Sequence, residues 1–154
     1  MKKKILVVDD DDNLRIVMQE TLESCGYDVG EAESGATALN VLKKKKFDLV
    51  ITDLMMPGIK GIDLIERASG LYPEMGFLVI SAYGTIETAV DAMRKGAFDF
   101  ITKPFSIEHI ESRVERFFEY QFLQQENITL KKRLLDHKLQ VKLVGQSKSI
   151  HDIL

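Results

Sequence analysis

Short apolar runs alternate with helical patterns along most of the chain. Lys4-Ile5-Leu6-Val7-Val8 is a continuous aliphatic and β-branched run and predicts a buried strand. Apolar positions at helical spacing follow over residues 12–25, and Gly26 supplies the stop. Residues 27–32 predict a weaker second strand. Ser34, a good N-cap, then opens a helix that runs into the lysines at 43–46. The third strand is Asp48-Leu49-Val50-Ile51-Thr52, and Met56-Pro57-Gly58 marks a loop. Residues 62–68 predict a short helix closed by Gly70. Phe77-Leu78-Val79-Ile80 is the fourth strand, and a helix runs from a Thr85 N-cap to Gly96. Residues 98–102 make the fifth strand, and Ser106 caps a last helix. Strands that are apolar throughout, each followed by a helix, predict an α/β fold: a five-stranded parallel sheet with helices on both faces.

Beyond residue 106 the pattern changes character. Ile107, Ile110, Val114 and Phe117 are spaced by 3, 4 and 3, which predicts a face buried on the sheet. A second stripe then begins: Tyr120, Leu123, Asn127, Leu130, Leu134, His137, Val141 and Val144. Its spacings alternate between 3 and 4, the seam of a coiled coil. No Pro or Gly interrupts residues 106–144, so one helix can carry both stripes. At 1.5 Å per residue its second half alone spans about 35 Å. Asn127 falls at an a position, where a buried Asn favours a parallel dimer in one register. The alternative is that the stripe folds back as an ordinary amphipathic helix.

Composition narrows the class. The 154 residues carry 21 Lys+Arg against 24 Asp+Glu, a net charge of −3, with 45% hydrophobic and 29% charged positions. Disorder and collagen-like repeats are excluded, and the length fits one domain of about 100–150 residues plus an extension. A single cysteine, Cys25, excludes an intramolecular disulfide framework and a multi-Cys zinc site, and it suits a reducing cytoplasm. The sequence offers no membrane span and no signal-peptide core, so the expected location is cytoplasmic. Mild acidity argues against a dedicated nucleic-acid surface, and the lysines at 43–46 read as a solvated helix end. His109, His137 and His151 lack metal-ligand spacing. Cys25 is expected to pack beside Gly26 rather than to react. Met55 and Met56 fit either a partner surface or a loop packed over a site. Phe117 and Phe118 read as core and interface rather than as stacking platforms for bases.

In parallel sheets ligands bind beyond the carboxyl ends of the strands. There the first strand ends in Asp9-Asp10-Asp11-Asp12, the third in Asp53, the fourth in Ser81 and the fifth in Lys103-Pro104. Close carboxylates repel, and an oxygen-only site without Cys or His suits Mg²⁺. A Lys and a small hydroxyl opposite the metal can hold the oxygens of a transferring phosphoryl group. A carboxylate can itself be the nucleophile, forming an aspartyl-phosphate. Taken singly, these residues fit helix capping, a turn and a surface charge. Their convergence on one sheet edge is what argues for a site.

Val7-Val8-Asp9-Asp10, Asp53-Leu54-Met55-Met56-Pro57-Gly58, Ser81-Ala82 and Lys103-Pro104-Phe105, in that order, resemble the receiver domain of two-component response regulators, over about residues 3–120. The resemblance implies a flavodoxin-like receiver fold and Asp53 as phosphoacceptor for a sensor histidine kinase. Asp10, Asp53 and the Met55 carbonyl would hold Mg²⁺, with Asp9 acting mainly through water. Ser81 and Lys103 would assist the phosphoryl group, Phe100 would be the switch aromatic, and the Lys103–Pro104 bond would be cis. The run from Ser81 to Phe100 is similar to receivers of sigma-54-dependent transcription activators. Leu143-Val144-Gly145-Gln146-Ser147 resembles the opening of their AAA+ ATPase domain. The implied organisation is a receiver over 1–119, a coiled-coil linker over 120–144 and the start of an ATPase domain over 145–154. The chain stops inside an apolar pattern, so a longer protein with AAA+ and DNA-binding domains is expected. This segment is expected to act as a switch and not an enzyme, as a homodimer through its linker helix and receiver face, without membrane or nucleic-acid contact. Two alternatives compete: a haloacid-dehalogenase-type phosphohydrolase, for which Asp9-Asp10-Asp11 superficially suffices, and a passive dimerisation module with a vestigial acidic site.

Overall fold

In the computed structural model the described residues are 2–56, 58–82 and 85–144, with side chains described as far as Asp136. The elements run β1 (Lys4–Val8), α1 (Asp12–Ser24), β2 (Asp28–Ala32), α2 (Gly35–Lys44), β3 (Leu49–Asp53), α3 (Gly61–Leu71), β4 (Gly76–Ser81), α4 (Ile86–Arg94), β5 (Asp99–Thr102) and α5 (Ile107–Val144). All pairings are parallel, in the order β2-β1-β3-β4-β5. That order reverses direction at β1 and β3, whose carboxyl ends therefore flank the crevice of an open α/β sheet.

The apolar strands are buried on both faces, as continuous rather than alternating hydrophobicity requires. Leu6, Val8, Val50, Phe77 and Val79 pack with Ala38 and Leu42 of α2, Leu64, Ile65 and Ala68 of α3, and Ala92 of α4. The opposite face, with Ile5, Val7, Leu49, Ile51, Leu78 and Ile80, is equally buried, and α1 packs on β1 and β2.

Local chemistry sets the element ends. Asp11 caps α1 by accepting from the N–H groups of Asn13 and Leu14, and Ser34 caps α2 by accepting from Thr37. Thr85 and Thr88 form a reciprocal capping box on α4, and Ser106 accepts from His109 N–H at the start of α5. Gly26 and Gly96 follow α1 and α4 with φ of +97° and +117°, the left-handed conformation that ends helices.

Several expectations change. Gly70 does not close α3. It lies inside a helix that extends to Leu71 and ends at Tyr72, because it stays out of the left-handed region that would turn the chain. Cys25, expected to pack, is exposed, since the C-cap of α1 points its side chain off the buried stripe. Ile107 is 46% exposed while Ile110, Val114 and Phe117 are buried. A helical side chain covers the turn preceding its own Cα, and the first residue of α5 has no such turn. Met56 is buried in the core and Met55 is half-exposed, so only the former packs as a loop residue.

The described residues divide into two compact units between Arg113 and Val114. In the second, Tyr120, Leu123, Leu130 and Leu134 of the heptad stripe are all exposed. The reading of residues 145–154 as the start of an ATPase domain lies outside the described residues. Among the described residues, no helix is long and apolar enough to cross a membrane.

Candidate functional site

The carboxyl ends of β1, β3, β4 and β5 bring together the residues read from the sequence. Asp9 follows β1 directly. Its N–H donates to the Ala32 carbonyl at 3.2 Å, extending the ladder by one bond, and its carboxylate is carried inside, only 2% exposed. Asp9 Oδ1 accepts the Asp11 N–H at 2.9 Å, so the turn into α1 is also what holds the carboxylate. Asp10 is the exposed member. Asp53 closes β3, paired in register with Ile80, and is 8% exposed. Its Oδ1 accepts the Met55 N–H at 3.3 Å.

Lys103 reaches in from beyond β5. Its N–H donates to the Ser81 carbonyl at 2.8 Å, and the following bond to Pro104 is cis, as the resemblance implied. Its Nζ lies 3.3 Å from Asp53 Oδ2 and 3.5 Å from Asp9 Oδ2. Ser81 ends β4 opposite Thr102 and is fully buried. Phe100 lies one position before the core residue Ile101, half-buried against the cluster beneath α2, α3 and α4.

The electrostatics follow from that geometry. Burial pushes the Asp9 carboxyl up, and the Asp53 charge adds to the effect against the opposing pull of the Asp11 N–H and Lys103. Burial alone would push the Lys103 ammonium down, but the charges and hydrogen bonds of Asp9 and Asp53 outweigh it, and the net shift is upward. Carboxylate oxygens of Asp9, Asp10 and Asp53 lie within 4.8 Å of one another. Three carboxylates thus share one ammonium, leaving two uncompensated negative charges, the charge of one divalent cation. The donors are all oxygens, which fits Mg²⁺ with its preference for one or two carboxylates and retained water.

Two contributors were not read from the sequence. A Cβ at Gly61 would lie 2.9 Å from the Leu54 Cα, so only glycine lets α3 start against the backbone that follows Asp53. The Gly61 N–H donates to the Leu54 carbonyl at 3.0 Å. The spacing of Gly58 and Gly61 was visible, but not what it would approach. Arg15, the other, is buried beside the acidic loop.

Residues 5–115 match the response regulator receiver domain family. Among curated relatives, a putative NtrX-like response regulator of Rickettsia bellii is 35% identical over 145 residues, which is 93% of this chain and 30% of the relative. The chain therefore spans about a third of the length of such relatives. The crystal structure of NtrX from Brucella abortus superposes with a TM-score of 0.81 at 32% identity, covering 96% of this chain and 36% of that one. The beryllofluoride-activated NtrC4 receiver domain dimer superposes with a TM-score of 0.73 at 31% identity, over 77% of this chain and 98% of that one. With the sheet order, the acidic crevice and a match across most of its length in agreement, this chain belongs to the response regulator receiver domain family of two-component signalling.

Proposed function

We propose that the chain is a phosphorylation switch in which Asp53 accepts a phosphoryl group from a sensor histidine kinase, with Mg²⁺ as cofactor. The observation that carries this reading is the placement of Lys103 Nζ between Asp53 and Asp9, with Asp10 completing the cluster. Asp10, Asp53 and the Met55 carbonyl would hold the metal directly, and Asp9 would act mainly through water. Bound there, the cation would neutralise charge on phosphoryl oxygens. Lys103 and the Ser81 hydroxyl would hold the remaining oxygens, and the ring of Phe100 would respond to the inward movement of Ser81. The face formed by residues 85–95, 98–102 and 106–120 would then carry the signal.

The tail is proposed as a linker. Residues 120–144 would pair with a second copy, residues 145–154 would open an AAA+ ATPase domain, and the longer cytoplasmic protein would activate sigma-54-dependent transcription. The Ser81–Phe100 resemblance and the NtrX and NtrC4 likenesses support this assignment.

Incubation with Mg²⁺ and a small phosphodonor tests the chemistry. Intact-mass analysis should show one phosphoryl group per chain, peptide mapping should place it on Asp53, and Asp53→Asn should abolish it. Label on Asp9 or Asp11, or turnover of a generic phosphoester, would instead support the phosphohydrolase alternative.

A further inference from the structure

Arg15 is a cation more than nine-tenths buried beside the acidic loop, and the chemistry above makes no use of it. It stands in the first turn of α1. Nη1 donates to the Asp9 carbonyl at 2.6 Å, and Nη2 pairs with the Asp12 carboxylate. Nε is buried without a hydrogen-bond partner among the described residues and lies 4.0 Å from Glu31 Oε2 on β2.

Taking a guanidinium out of water costs several kcal/mol unless its surroundings offset it. Here the offset comes from a backbone carbonyl and from acids outside the Asp9–Asp10–Asp53 cluster. The acids are in effect sorted: Asp12 and Glu31 face Arg15, whereas Asp9 and Asp53 face Lys103. The carbonyl contact reaches further. Asp9 N–H is already fixed by Ala32 and its carboxylate by Asp11 N–H and Lys103. Its carbonyl belongs to the peptide unit that also contains the Asp10 nitrogen, and that unit is planar. Asp10 lies beyond the end of β1, where no ladder sets its direction. Fixing the Asp9 carbonyl therefore fixes the plane from which Asp10 leaves.

We propose that Arg15 is a positioning residue for the acidic site, locking the Asp9–Asp10 peptide so that both carboxylates face a divalent cation. The proposal rests on the reading of the cluster as an Mg²⁺ site.

The sign of one measurement separates positioning from simple charge. A nearby cation repels Mg²⁺, so if Arg15 acted only through its charge, Arg15→Met would tighten binding and Arg15→Lys would resemble the wild type. Positioning predicts the opposite: Mg²⁺ affinity, measured by calorimetric titration, should fall about tenfold in Arg15→Met, in line with lost outer-shell partners elsewhere. Arg15→Lys should also bind more weakly, because one ammonium cannot reproduce the guanidinium fork. Arg15→Lys keeps the charge and carries the same test if Arg15→Met does not fold. Amide exchange without metal gives a second readout. The Asp11 amide, which donates to Asp9 Oδ1, should exchange faster in the variants, with those of β3 and β4 unchanged. Unchanged or tighter Mg²⁺ binding, or unchanged exchange at Asp11, overturns the role of Arg15. No Mg²⁺ binding by the wild-type chain overturns the metal reading itself, and the Arg15 proposal with it, whatever the exchange shows.

Discussion

Asp9 and Lys103 bear opposite charges, yet both titrate above their ordinary values, so each makes stability fall as pH rises through its own window. The folded Asp9 carboxyl titrates above its ordinary value of 3.8, chiefly because it is buried. Its ionisation therefore opposes folding, and the metal-free protein loses stability as pH rises from that ordinary value through the raised folded one. Asp9→Asn should remove this component and stabilise the metal-free protein at neutral pH, while weakening Mg²⁺ binding. Urea melts from pH 3 to 8 with and without Mg²⁺ would check both. For Lys103 it is the charged form that favours folding. Burial opposes its charge, but Asp9 and Asp53 raise its pKa above the ordinary 10.5, so its contribution is full below that value and lost as pH rises through the folded one. Lys103→Met should cost about 2 kcal/mol in the metal-free protein by leaving charged carboxylates without their partner. Millimolar Mg²⁺ should restore much of that loss, which the same melts would detect.

At the scale of elements, two glycines of α3 answer to different constraints. Gly70 has open space where a Cβ would go and no left-handed φ, so its flexibility only weakens the helix. Gly70→Ala should stabilise the protein by about 0.5–1 kcal/mol. Gly61 meets backbone on the Asp53–Leu54 segment, which cannot yield as a side-chain tip would. Gly61→Ala should destabilise by about 1–3 kcal/mol and slow phosphorylation by displacing the start of the β3–α3 loop. Thermal melts of both variants, with phosphodonor kinetics for the second, would show the contrast. The contrast does not follow from helix propensity alone, which ranks alanine above glycine at both positions without distinguishing them.

For the whole molecule, the decisive feature is α5, a single helix over Ile107–Val144. A helix of this length with little burial is marginal in isolation. Tyr120, Leu123, Leu130 and Leu134 are each about half exposed or more, on one stripe with Asn127. A second copy of the stripe would cover them as the seam of a parallel coiled coil. The chain should sediment as a dimer at tens of micromolar. Leu123→Glu combined with Leu130→Glu should give monomers with an unchanged melting profile for the sheet. A monomeric wild type, or a dimer that survives both substitutions, would remove the linker from this role.

The sequence by itself determined all five strands, most helix starts and the sheet edge where the acidic residues and Lys103 gather. Those features depend on neighbours within a few residues: apolar runs, Ser34 and Thr85 as caps, and glycines after α1 and α4. It also placed Asp9, Asp10, Asp53, Ser81 and Lys103 at strand ends, because parallel topology makes strand ends converge. Only the tertiary structure decided how these groups share charge. Lys103 meets Asp9 across 94 positions of sequence and Asp53 across 50, separations over which no periodicity carries information. It likewise revealed that Gly61 must be small and that Arg15 is buried, since each depends on what another element brings within a few ångströms. Gly70 does not end its helix for the same reason: a glycine does so only when its φ turns left-handed, and the packing of the surrounding segments decides that as much as the residue itself.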